Sequence, residues 1–510
     1  MKLIGRKDGH TNMKLVTDYL EQTAGRFPDK VALIDKEREV RFGEFQTEAK
    51  KIATKLISLG LEKQPIIVYM NKSVESVETF MGVAYSNNFY CPVDIHMPAP
   101  RVAKIVDTFE PKAVITKREC LTDPSMFGDT PILYFDELME ETADEEAVAT
   151  VTSRAIDTDI LYVLFTSGST GTPKGVIICH RSVIDYTEWV TKTFDIDETH
   201  IFGNQAPFYF DNSVLDIFQM LKTGATLDII PETLFSFPIK LLEYVAEHKI
   251  NTVFWVPSAL CLVANLKALG KRDISCMKKI LFAGEVMPNK QLNMWRRELP
   301  DALYANLYGP TEITVDCTYY IVDREFDDAD SLPIGIPCDN SDVLVLNDKD
   351  ELVGVDEIGE LCVRGTSLAL GYYNNPEKTA AAFVQNPLNK RYPEIIYRTG
   401  DLVKYNERGE ILYCSRKDFQ IKHMGHRIEL GEIETAVSSL DGIELCCTLY
   451  DEGRQKIVLF YTGSLEGKEI SESLKDLVPE YMIPNRYKKL DEMPINLNGK
   501  IDRVLLKTMM

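Results

Sequence analysis

Small and hydroxyl-bearing residues follow an apolar run in the segment 164–175, which reads LFTSGSTGTPKG. Such residues let backbone amides wrap around phosphate oxygens without side-chain clashes, and Lys174 adds a positive charge. The segment is not a Walker loop, because Pro173 precedes the lysine and Gly175 follows it. It predicts a phosphate-binding loop of another kind, with a flexible surface turn as the alternative.

Three other stretches are dense in polar and glycine residues where apolar runs end. They are NLYGPTE at 306–312, YRTGD at 397–401 and NLNGKIDR at 496–503. A carboxylate after a tight turn can hold Mg²⁺ or a pair of ribose hydroxyls, and a lysine on a glycine turn can reach an anion. Taken singly, each stretch is better explained as a solvated turn.

The elements that must position these stretches alternate between strands and helices. Strand-like runs such as 65–69, 113–116 and 161–165 are interleaved with helical periodicity, for example at 74–86 and 181–194. This alternation predicts an α/β fold with helix-covered parallel sheets. From about residue 334 short strands with turn residues predict a more antiparallel, barrel-like region. Beyond Asp418 a compact alternation predicts a separate small α+β domain, which gives domains 1–417 and 418–510.

Composition narrows the classes of partner. Acidic residues number 78 and basic residues 57, so the formal net charge over 510 residues is −21. This charge disfavours nucleic acid and a membrane surface as main partners. The sequence has no apolar stretch of about 20 residues and no signal-peptide pattern. Eleven cysteines without paired metal spacing are typical of free thiols. We therefore predict a cytoplasmic protein.

Together the motifs resemble one family. TSGSTGTPKG, NLYGPTE, GELCVRG (359–365), YRTGD, SRKDFQIKHMGHRIELGEIE (415–434) and NLNGKIDR occur in the order found in the adenylate-forming superfamily of acyl-CoA synthetases, luciferases and peptide-synthetase adenylation domains. The resemblance covers essentially the whole chain. It implies a large N-terminal domain, a hinge and a mobile C-terminal lid that rotates between two half-reactions. ATP and a carboxylate would form an acyl-AMP, which a thiol then attacks.

The resemblance also assigns roles to individual residues. Lys500 would bridge the substrate carboxylate and the α-phosphate, Thr311 would approach the α-phosphate and Glu312 would position Mg²⁺. Asp418 matches the hinge, and Gly425 would line the channel of the thiol. Tyr308 would lie near adenine and Asp401 would accept the ribose hydroxyls. The implied nucleotide contacts are Thr166, Ser167, Gly168, Ser169, Thr170, Gly171, Lys174, Asn306, Tyr308, Gly309, Asp401 and Arg416.

Asp211, in the stretch APFYFDNSVL (206–215), identifies the branch of the family. In amino-acid-activating members an aspartate at this place pairs with the α-ammonium of the substrate, a charge-assisted bond that a fatty or aryl acid cannot make. The alternative for Asp211 is a helix N-cap. The other pocket residues implied by the correspondence are Asn212, Leu215, Trp255, Leu281, Ala283, Gly284, Leu307, Val315 and Asp316. For Trp255 and Leu281 the alternative is plain core packing, and for Asp316 it is a satisfied surface carboxylate.

The stretches NQAP (204–207) and FAGEVMPN (282–289) resemble D-alanine:carrier-protein ligases. Those ligases usually carry cysteine where Ala283 stands, which leaves the substrate and its handedness open. The bulk of Trp255 and the leucines favours a small substrate, and Asp316 can accept a hydrogen bond from a hydroxyl or an amine. The expected substrate is therefore a small amino acid, either alanine or one like serine.

No serine-bearing carrier segment follows Lys500 in the sequence, so the expected partner is a separate phosphopantetheinylated carrier protein, with a small thiol as the alternative. Arg486, Lys488 and Lys489 are a candidate basic docking patch for an acidic carrier, against the alternative of a solvated face. The function expected is that of an AMP-forming amino acid:carrier-protein ligase, like a stand-alone adenylation domain of a nonribosomal peptide synthetase. A CoA ligase for a small carboxylic acid and a non-catalytic regulator with this fold are the alternatives.

Overall fold

The computed structural model of the protein describes residues 13–167, 173–328, 330–417, 420–494 and 501–510. Asp418, Lys500 and the loop residues Gly168, Ser169, Thr170 and Gly171 lie outside this part of the chain. None of the helices in these ranges is long and apolar enough to cross a membrane.

The strands occur along the whole described chain. In chain order they are β1 (Val31–Ile34), β2 (Glu39–Arg41), β3 (Pro65–Tyr69), β4 (Phe89–Val93), β5 (Ala113–Thr116), β6 (Ile132–Tyr134), β7 (Ile160–Thr166), β8 (Lys174–Cys179), β9 (Ile201–Asn204), β10 (Thr226–Ile229), β11 (Thr252–Trp255), β12 (Lys279–Phe282), β13 (Leu303–Tyr308), β14 (Thr318–Ile321), β15 (Ile336–Pro337), β16 (Ser341–Leu346), β17 (Gly359–Gly365), β18 (Gly371–Tyr372), β19 (Phe383–Gln385), β20 (Ile395–Tyr405), β21 (Ile411–Arg416), β22 (Gln420–His423), β23 (His426–Glu429), β24 (Ile443–Asp451), β25 (Lys456–Gly463) and β26 (Arg486–Lys489).

The helices are α1 (Thr17–Arg26), α2 (Phe42–Ser58), α3 (Val74–Tyr85), α4 (Ala99–Phe109), α5 (Phe135–Met139), α6 (Glu145–Arg154), α7 (His180–Phe194), α8 (Asn212–Thr223), α9 (Pro238–Glu247), α10 (Pro257–Asn265), α11 (Asn289–Glu298), α12 (Pro376–Ala382), α13 (Leu430–Ser438), α14 (Gly467–Leu474) and α15 (Arg503–Thr508). Short 3₁₀ turns cover Arg118–Cys120, Pro124–Phe127, Glu232–Ser236, Thr311–Ile313 and Glu480–Met482.

Two large sheets form the body of the protein. One has the order β15-β14-β13-β12-β11-β9-β10-β1-β2, and the other has the order β18-β8-β7-β4-β3-β5-β6. Their central strands are parallel, and antiparallel strands lie at the edges. One apolar core contains residues from both sheets and from α1, α2, α3, α7 and α8. The predicted helix-covered parallel sheets are therefore confirmed.

The barrel-like region and the small C-terminal domain follow the two sheets. An antiparallel sheet joins β16, β17, β20, β19 and β21 around its own core. The C-terminal domain, whose described residues 420–494 and 501–510 are called the lid below, contains the hairpin β22–β23 and the sheet β24-β25-β26. Its apolar residues form two clusters separate from those of the body. The fold class expected from the sequence is thus confirmed, whereas the boundary at 417/418 stays a prediction.

A second core on the outer face of the nine-stranded sheet supports the strand ends that reach the candidate site. It is built from α9, α10 and α11 against β11 and β12. The Trp295 ring is completely buried there, and its Nε1 donates a hydrogen bond of 2.9 Å to the carbonyl oxygen of Leu260. This ring links α11 to α10 beneath the sheet.

We predict that Trp295→Ala lowers the stability of the body by about 3–5 kcal/mol, because truncation of a buried aromatic ring leaves a cavity. Calorimetry should show a lower melting temperature for this variant. Phe237→Ala is the matched control, since the Phe237 ring is 57% exposed and its removal leaves no cavity. An equal effect of the two substitutions would contradict the role given to Trp295.

Candidate active site

The parts of the sequence motifs that the structure describes meet at the carboxyl ends of the parallel strands, where α/β proteins commonly bind ligands. Asn306 and Tyr308 end β13, Thr166 ends β7, and Asp401 lies on β20 beside them. Gly309 allows the chain to turn tightly there, because a Cβ at this residue would lie 2.3 Å from the carbonyl oxygen of Val315. The strand end is therefore packed directly against the segment that carries Asp316.

Asp401 is the centre of a polar cluster. Its carboxylate accepts hydrogen bonds from the Tyr308 hydroxyl and from Nη1 of Arg416, the latter at 2.9 Å. The ammonium of Lys422, from the lid hairpin, lies 5.2 Å from the centroid of the Tyr308 ring. Burial lowers the pKa of Lys422, and Asp401 opposes this effect. The structure thus brings together three of the residues expected to bind the nucleoside and adds Lys422.

Glu312 is a completely buried carboxylate with two strong partners. Nη1 of Arg427 lies 2.6 Å from its Oε2, and the Tyr372 hydroxyl donates to its Oε1 at 2.7 Å. Burial by itself raises the pKa of Glu312, but Arg427 and Lys174 lower this pKa to about 2. Glu312 is therefore a stable anion whose countercharge, Arg427, is supplied by the lid.

The two ends of the phosphate-loop candidate are held by the strand pair β7–β8, in which Thr166 lies opposite Lys174. The Ser167 hydroxyl donates to the carbonyl oxygen of Arg427 at 2.7 Å, and the Lys174 ammonium lies 3.9 Å from Oε1 of Glu429. Burial lowers the pKa of Lys174, followed by the charge of Arg427. The described ends of the loop are thus in contact with the lid hairpin.

Asp211 occupies the N-cap position of α8, but its side chain makes no capping hydrogen bond. The carboxylate instead interacts with the side chain of Thr311, next to Glu312. Burial raises the pKa of Asp211, whereas Thr311 and Lys422 lower it. The Asp211 side chain therefore does not cap α8. Its carboxylate lies instead beside Thr311, one of the residues expected to contact the nucleotide.

The structure groups most of the expected pocket residues on one face of the nine-stranded sheet. Leu215, Leu281, Ala283, Leu307 and Val315 belong to one apolar cluster. Asn212 is buried nearby on α8, and its Nδ2 has no hydrogen-bond partner. Asp316 is also buried, and it accepts a hydrogen bond of 2.7 Å from the Tyr186 hydroxyl. Gly284 follows β12 with a φ of 95°, a conformation suited to glycine.

Trp255 is not part of this group. It lies beside Phe282 on β12, so its ring points to the opposite face from Leu281. There the ring packs edge-on against Phe235, and its Nε1 donates to the carbonyl oxygen of Gly203 at 2.8 Å. The core-packing alternative therefore describes Trp255, whose bulk does not reduce the volume beside Leu281 and Ala283.

The lid hairpin also contacts the body close to Asp211. Gly425 has a φ of 80°, and a Cβ there would lie 2.6 Å from Cγ1 of Val256. The ring of the next residue, His426, stacks on Tyr481 at 3.6 Å and meets Phe210 edge-on at 4.7 Å, between ring centroids. The hairpin therefore fits against the body beside the residue that precedes Asp211.

Asn306 and the basic patch, both expected to bind a ligand or partner, have contacts within the protein itself. Nδ2 of Asn306 donates to the carbonyl oxygen of Pro333 at 2.8 Å, which fixes a turn. In the basic patch, Lys489 pairs with Glu466 at 2.7 Å and Lys488 donates to the carbonyl oxygen of Met509. The docking role of this patch stays a prediction, and two of its three cations already have contacts within the lid.

Sequence reasoning missed four residues that the structure places in the site: Arg427, Lys422, Tyr372 and Tyr186. Arg427 and Lys422 lie in the motif 415–434, so their charge inside a recognised motif was a usable signal. Tyr372 and Tyr186 lie outside every motif, and only the tertiary structure brings them to Glu312 and Asp316.

Comparisons with known proteins identify the family of this chain. The family described as "AMP-binding enzyme" matches residues 20–373. Zwittermicin A synthase ZmaJ of Bacillus cereus is 31% identical over 502 residues, which cover 96% of this chain and 94% of that protein. The chain therefore belongs to the AMP-binding enzyme family, and it is an adenylate-forming enzyme similar to the adenylation domains of nonribosomal peptide synthetases.

Solved structures share the fold. Holo-PA1221, described as a nonribosomal peptide synthetase protein with adenylation and PCP domains, superposes with a TM-score of 0.82 at 22% identity, covering 97% of this chain and 84% of that one. The o-succinylbenzoate CoA synthetase MenE of Bacillus subtilis superposes with a TM-score of 0.83 at 19% identity, covering 96% of this chain and 98% of that one. Because a nonribosomal peptide synthetase protein and a CoA synthetase match this chain about equally well, the fold does not choose between these two classes.

We predict that Arg427→Gln releases the lid hairpin from the body, since breaking the buried ion pair removes the cation in direct contact with Glu312 at a cost of roughly 3–5 kcal/mol. Amide hydrogen exchange of residues 420–429 should become at least about tenfold faster.

Arg454→Gln is the matched control, because Arg454 is 62% exposed and pairs with Asp451 at 3.1 Å on the surface of the lid. A pair of this kind contributes about 0–1 kcal/mol. If exchange in the hairpin is the same in both variants, the ion pair with Glu312 does not hold the lid.

Proposed function

We propose that the protein uses ATP to activate a small amino acid, alanine or one like serine, as an aminoacyl-AMP. It then transfers the aminoacyl group to the phosphopantetheine thiol of a separate carrier protein. Domain 1–417 binds ATP and the amino acid, and domain 418–510 is the lid, with its hinge at Asp418.

The observation that carries this proposal is the Asp211 carboxylate. It lies next to Thr311, in contact with the nucleotide residues, and it caps no helix. An α-ammonium group beside it would make a charge-assisted hydrogen bond. A simple carboxylic acid has no such cation, so binding it would leave a buried carboxylate unpaired at a cost of several kcal/mol. The site therefore favours an amino acid.

In the first half-reaction, an oxygen of the amino acid carboxylate attacks the α-phosphorus of ATP, and pyrophosphate leaves. Lys500 and Thr311 stabilise the charge that develops on the α-phosphate and the carboxylate. Asp401, with Tyr308 and Arg416, binds the ribose. The loop from Thr166 to Lys174 binds the β- and γ-phosphates.

The Mg²⁺ implied by this chemistry fits the residues present. Mg²⁺ is commonly bound by one or two carboxylates together with substrate phosphates, and Glu312 is an ionised carboxylate at this point. Bound there, the ion would neutralise phosphate charge. Arg427 already occupies Oε2 of Glu312 in this arrangement of the lid. We infer that this arrangement belongs to the second half-reaction, after pyrophosphate and its metal ion have left.

In the second half-reaction, the thiol sulfur attacks the carbonyl carbon of the aminoacyl-AMP. The thiol proton is lost, AMP leaves, and a thioester forms. The hairpin places Gly425 against Val256, where a Cβ would lie 2.6 Å from Cγ1 of Val256, so the glycine lets the hairpin approach the body closely beside the proposed channel of the thiol. Because Arg427 balances the charge of Glu312 during this step, the site does not depend on the metal ion for neutrality.

The first test is amino-acid-dependent exchange of labelled pyrophosphate into ATP. We expect exchange with a small amino acid and none with acetate, because only the amino acid satisfies Asp211. Both enantiomers of alanine and serine, with glycine as an additional probe, identify the substrate. Exchange with acetate alone would overturn the proposal in favour of a CoA ligase, and exchange with no acid would favour the non-catalytic regulator.

We predict that Asp211→Ala raises the KM for the amino acid at least about tenfold and leaves the KM for ATP nearly unchanged, because only the ammonium contact is lost. Steady-state pyrophosphate exchange measures both constants. Asp195→Asn is a control, since Asp195 is exposed after the end of α7 and its left-handed backbone (φ 49°) tolerates asparagine. An unchanged KM for the amino acid would remove the role of Asp211.

A further inference from the structure

A cavity outside the candidate active site lies where strand ends of the two large sheets meet. Its lining includes the segments that follow β1, β9 and β10 of the nine-stranded sheet and those that follow β3 and β4 of the seven-stranded sheet. Open α/β sheets commonly bind ligands at the carboxyl ends of their strands. The volume of this cavity is about 280 Å³, close to the lower limit of about 300 Å³ for small-molecule sites.

The lining of this cavity differs from that of the candidate active site. Its residues all belong to the body and fall in the ranges 36–96 and 207–233. Among the described residues, none of those expected to bind the nucleotide or the amino acid is part of the lining, and no lid residue is. The cavity is therefore also distinct from the proposed channel of the thiol beside Gly425.

The cavity has apolar walls and a polar edge. The buried apolar side chains of the wall are Val68, Met70, Phe80, Val93 and Phe208. The exposed residues at its edge are Lys36, Asn71, His96, Glu232 and Thr233. Apolar walls with a small number of polar groups are typical of sites that bind small organic molecules.

Lys72 places a positive charge in the lining of this cavity. Its side chain is partly buried, and its ammonium donates a hydrogen bond of 3.1 Å to the carbonyl oxygen of Gln205. In the part of the chain that the structure describes, Lys72 forms no ion pair, and the charges of Glu232 and Asp216 act on it only from a distance. A cation withdrawn from water is costly unless an anion pairs with it. The lining therefore favours an anionic ligand.

The nearby acids balance this charge poorly. Asp216 is completely buried on α8, where Nδ2 of Asn204 donates to its Oδ2 at 2.8 Å. Burial raises the pKa of Asp216 to about 8, with Asn204 and Lys72 opposing the rise, so this group is mostly neutral near pH 7. Glu232 is exposed, and water and salt screen its charge. The ammonium of Lys72 is therefore available to a ligand in the cavity.

We propose that this cavity binds a small carboxylic acid with an apolar body, whose carboxylate pairs with the ammonium of Lys72. The hydrocarbon part of the ligand then lies against the apolar wall, beside Phe80 and Phe208. An inorganic anion would leave this wall uncovered, and a neutral apolar molecule would leave the ammonium without a countercharge. The site is independent of the function proposed above, because the two share no residue.

Protonation of Lys72 gives the binding a characteristic pH dependence. Burial lowers the pKa of Lys72 to about 8, with the charges of Glu232 and Asp216 opposing this effect. The other titratable groups that face the cavity are Lys36, Asp94, His96 and Tyr209. A bound carboxylate favours the ammonium form, which is present below pH 8 and is lost above it. Binding at pH 8.5 should therefore take up to about 0.8 proton from solution, and affinity should be at least about tenfold lower at pH 9.5 than at pH 7.

Isothermal titration calorimetry of the full chain with benzoate tests the proposal. We expect benzoate to bind with one-to-one stoichiometry and at least about tenfold more tightly than acetate or benzamide, because acetate lacks the apolar ring and benzamide lacks the charge. Titrations at pH 8.5 in two buffers of different ionisation enthalpy measure the uptake of protons. Absence of benzoate binding, or equally tight binding of acetate, would overturn the proposal.

Substitutions then locate the bound carboxylate. Lys72→Met keeps the length of the side chain but removes its charge, so it should weaken benzoate binding at least about tenfold and abolish the proton uptake. Lys72→Arg should retain binding at pH 7 but take up no proton at pH 8.5, because arginine stays charged. Lys36→Met is the matched control, since Lys36 is exposed at the edge and its loss should change the affinity less than about threefold. Equal effects of Lys72→Met and Lys36→Met would remove the role of Lys72.

Discussion

The ion pair between Arg427 and Glu312 joins the two parts of the protein at the centre of the candidate site. Glu312 is entirely buried, and a carboxylate in that position is costly unless a cation lies against it. In this structure the cation comes from the lid, 2.6 Å from Oε2. The lid therefore supplies the positive charge that balances this buried carboxylate of the body. In the proposed cycle, Mg²⁺ would take the place of Arg427 as the countercharge of Glu312 during the first half-reaction.

One short segment connects the two ends of the site. Thr311 and Glu312 face the nucleotide residues, and four residues later Asp316 faces the pocket. The left-handed turn between them leaves little freedom, and Gly309 packs the preceding strand end against it. A short and constrained segment therefore joins the carboxyl group of Asp316 to Thr311 and Glu312.

The family match and the relatives establish the family and the adenylate-forming class, whereas the solved structures show the shared fold. A CoA synthetase and a nonribosomal peptide synthetase protein match the fold equally well. The difference lies in single buried groups, because a carboxylate without a partner in an apolar environment selects strongly for a ligand that supplies one. In the proposed function, Asp211 would serve this purpose for the α-ammonium group of the substrate.

The sequence by itself determined the alternating α/β body, the barrel-like region, the small lid and most of the motif residues. Local periodicity and ordered motifs carry that information without knowledge of distant contacts. It did not determine the environment of Asp211, which sequence patterns describe equally well as a helix cap, or the direction of the Trp255 ring, which depends on strand register. Only the tertiary structure placed Arg427 on Glu312 and Tyr186 on Asp316. These partners are more than 100 residues apart in the chain, and packing alone decides that they meet.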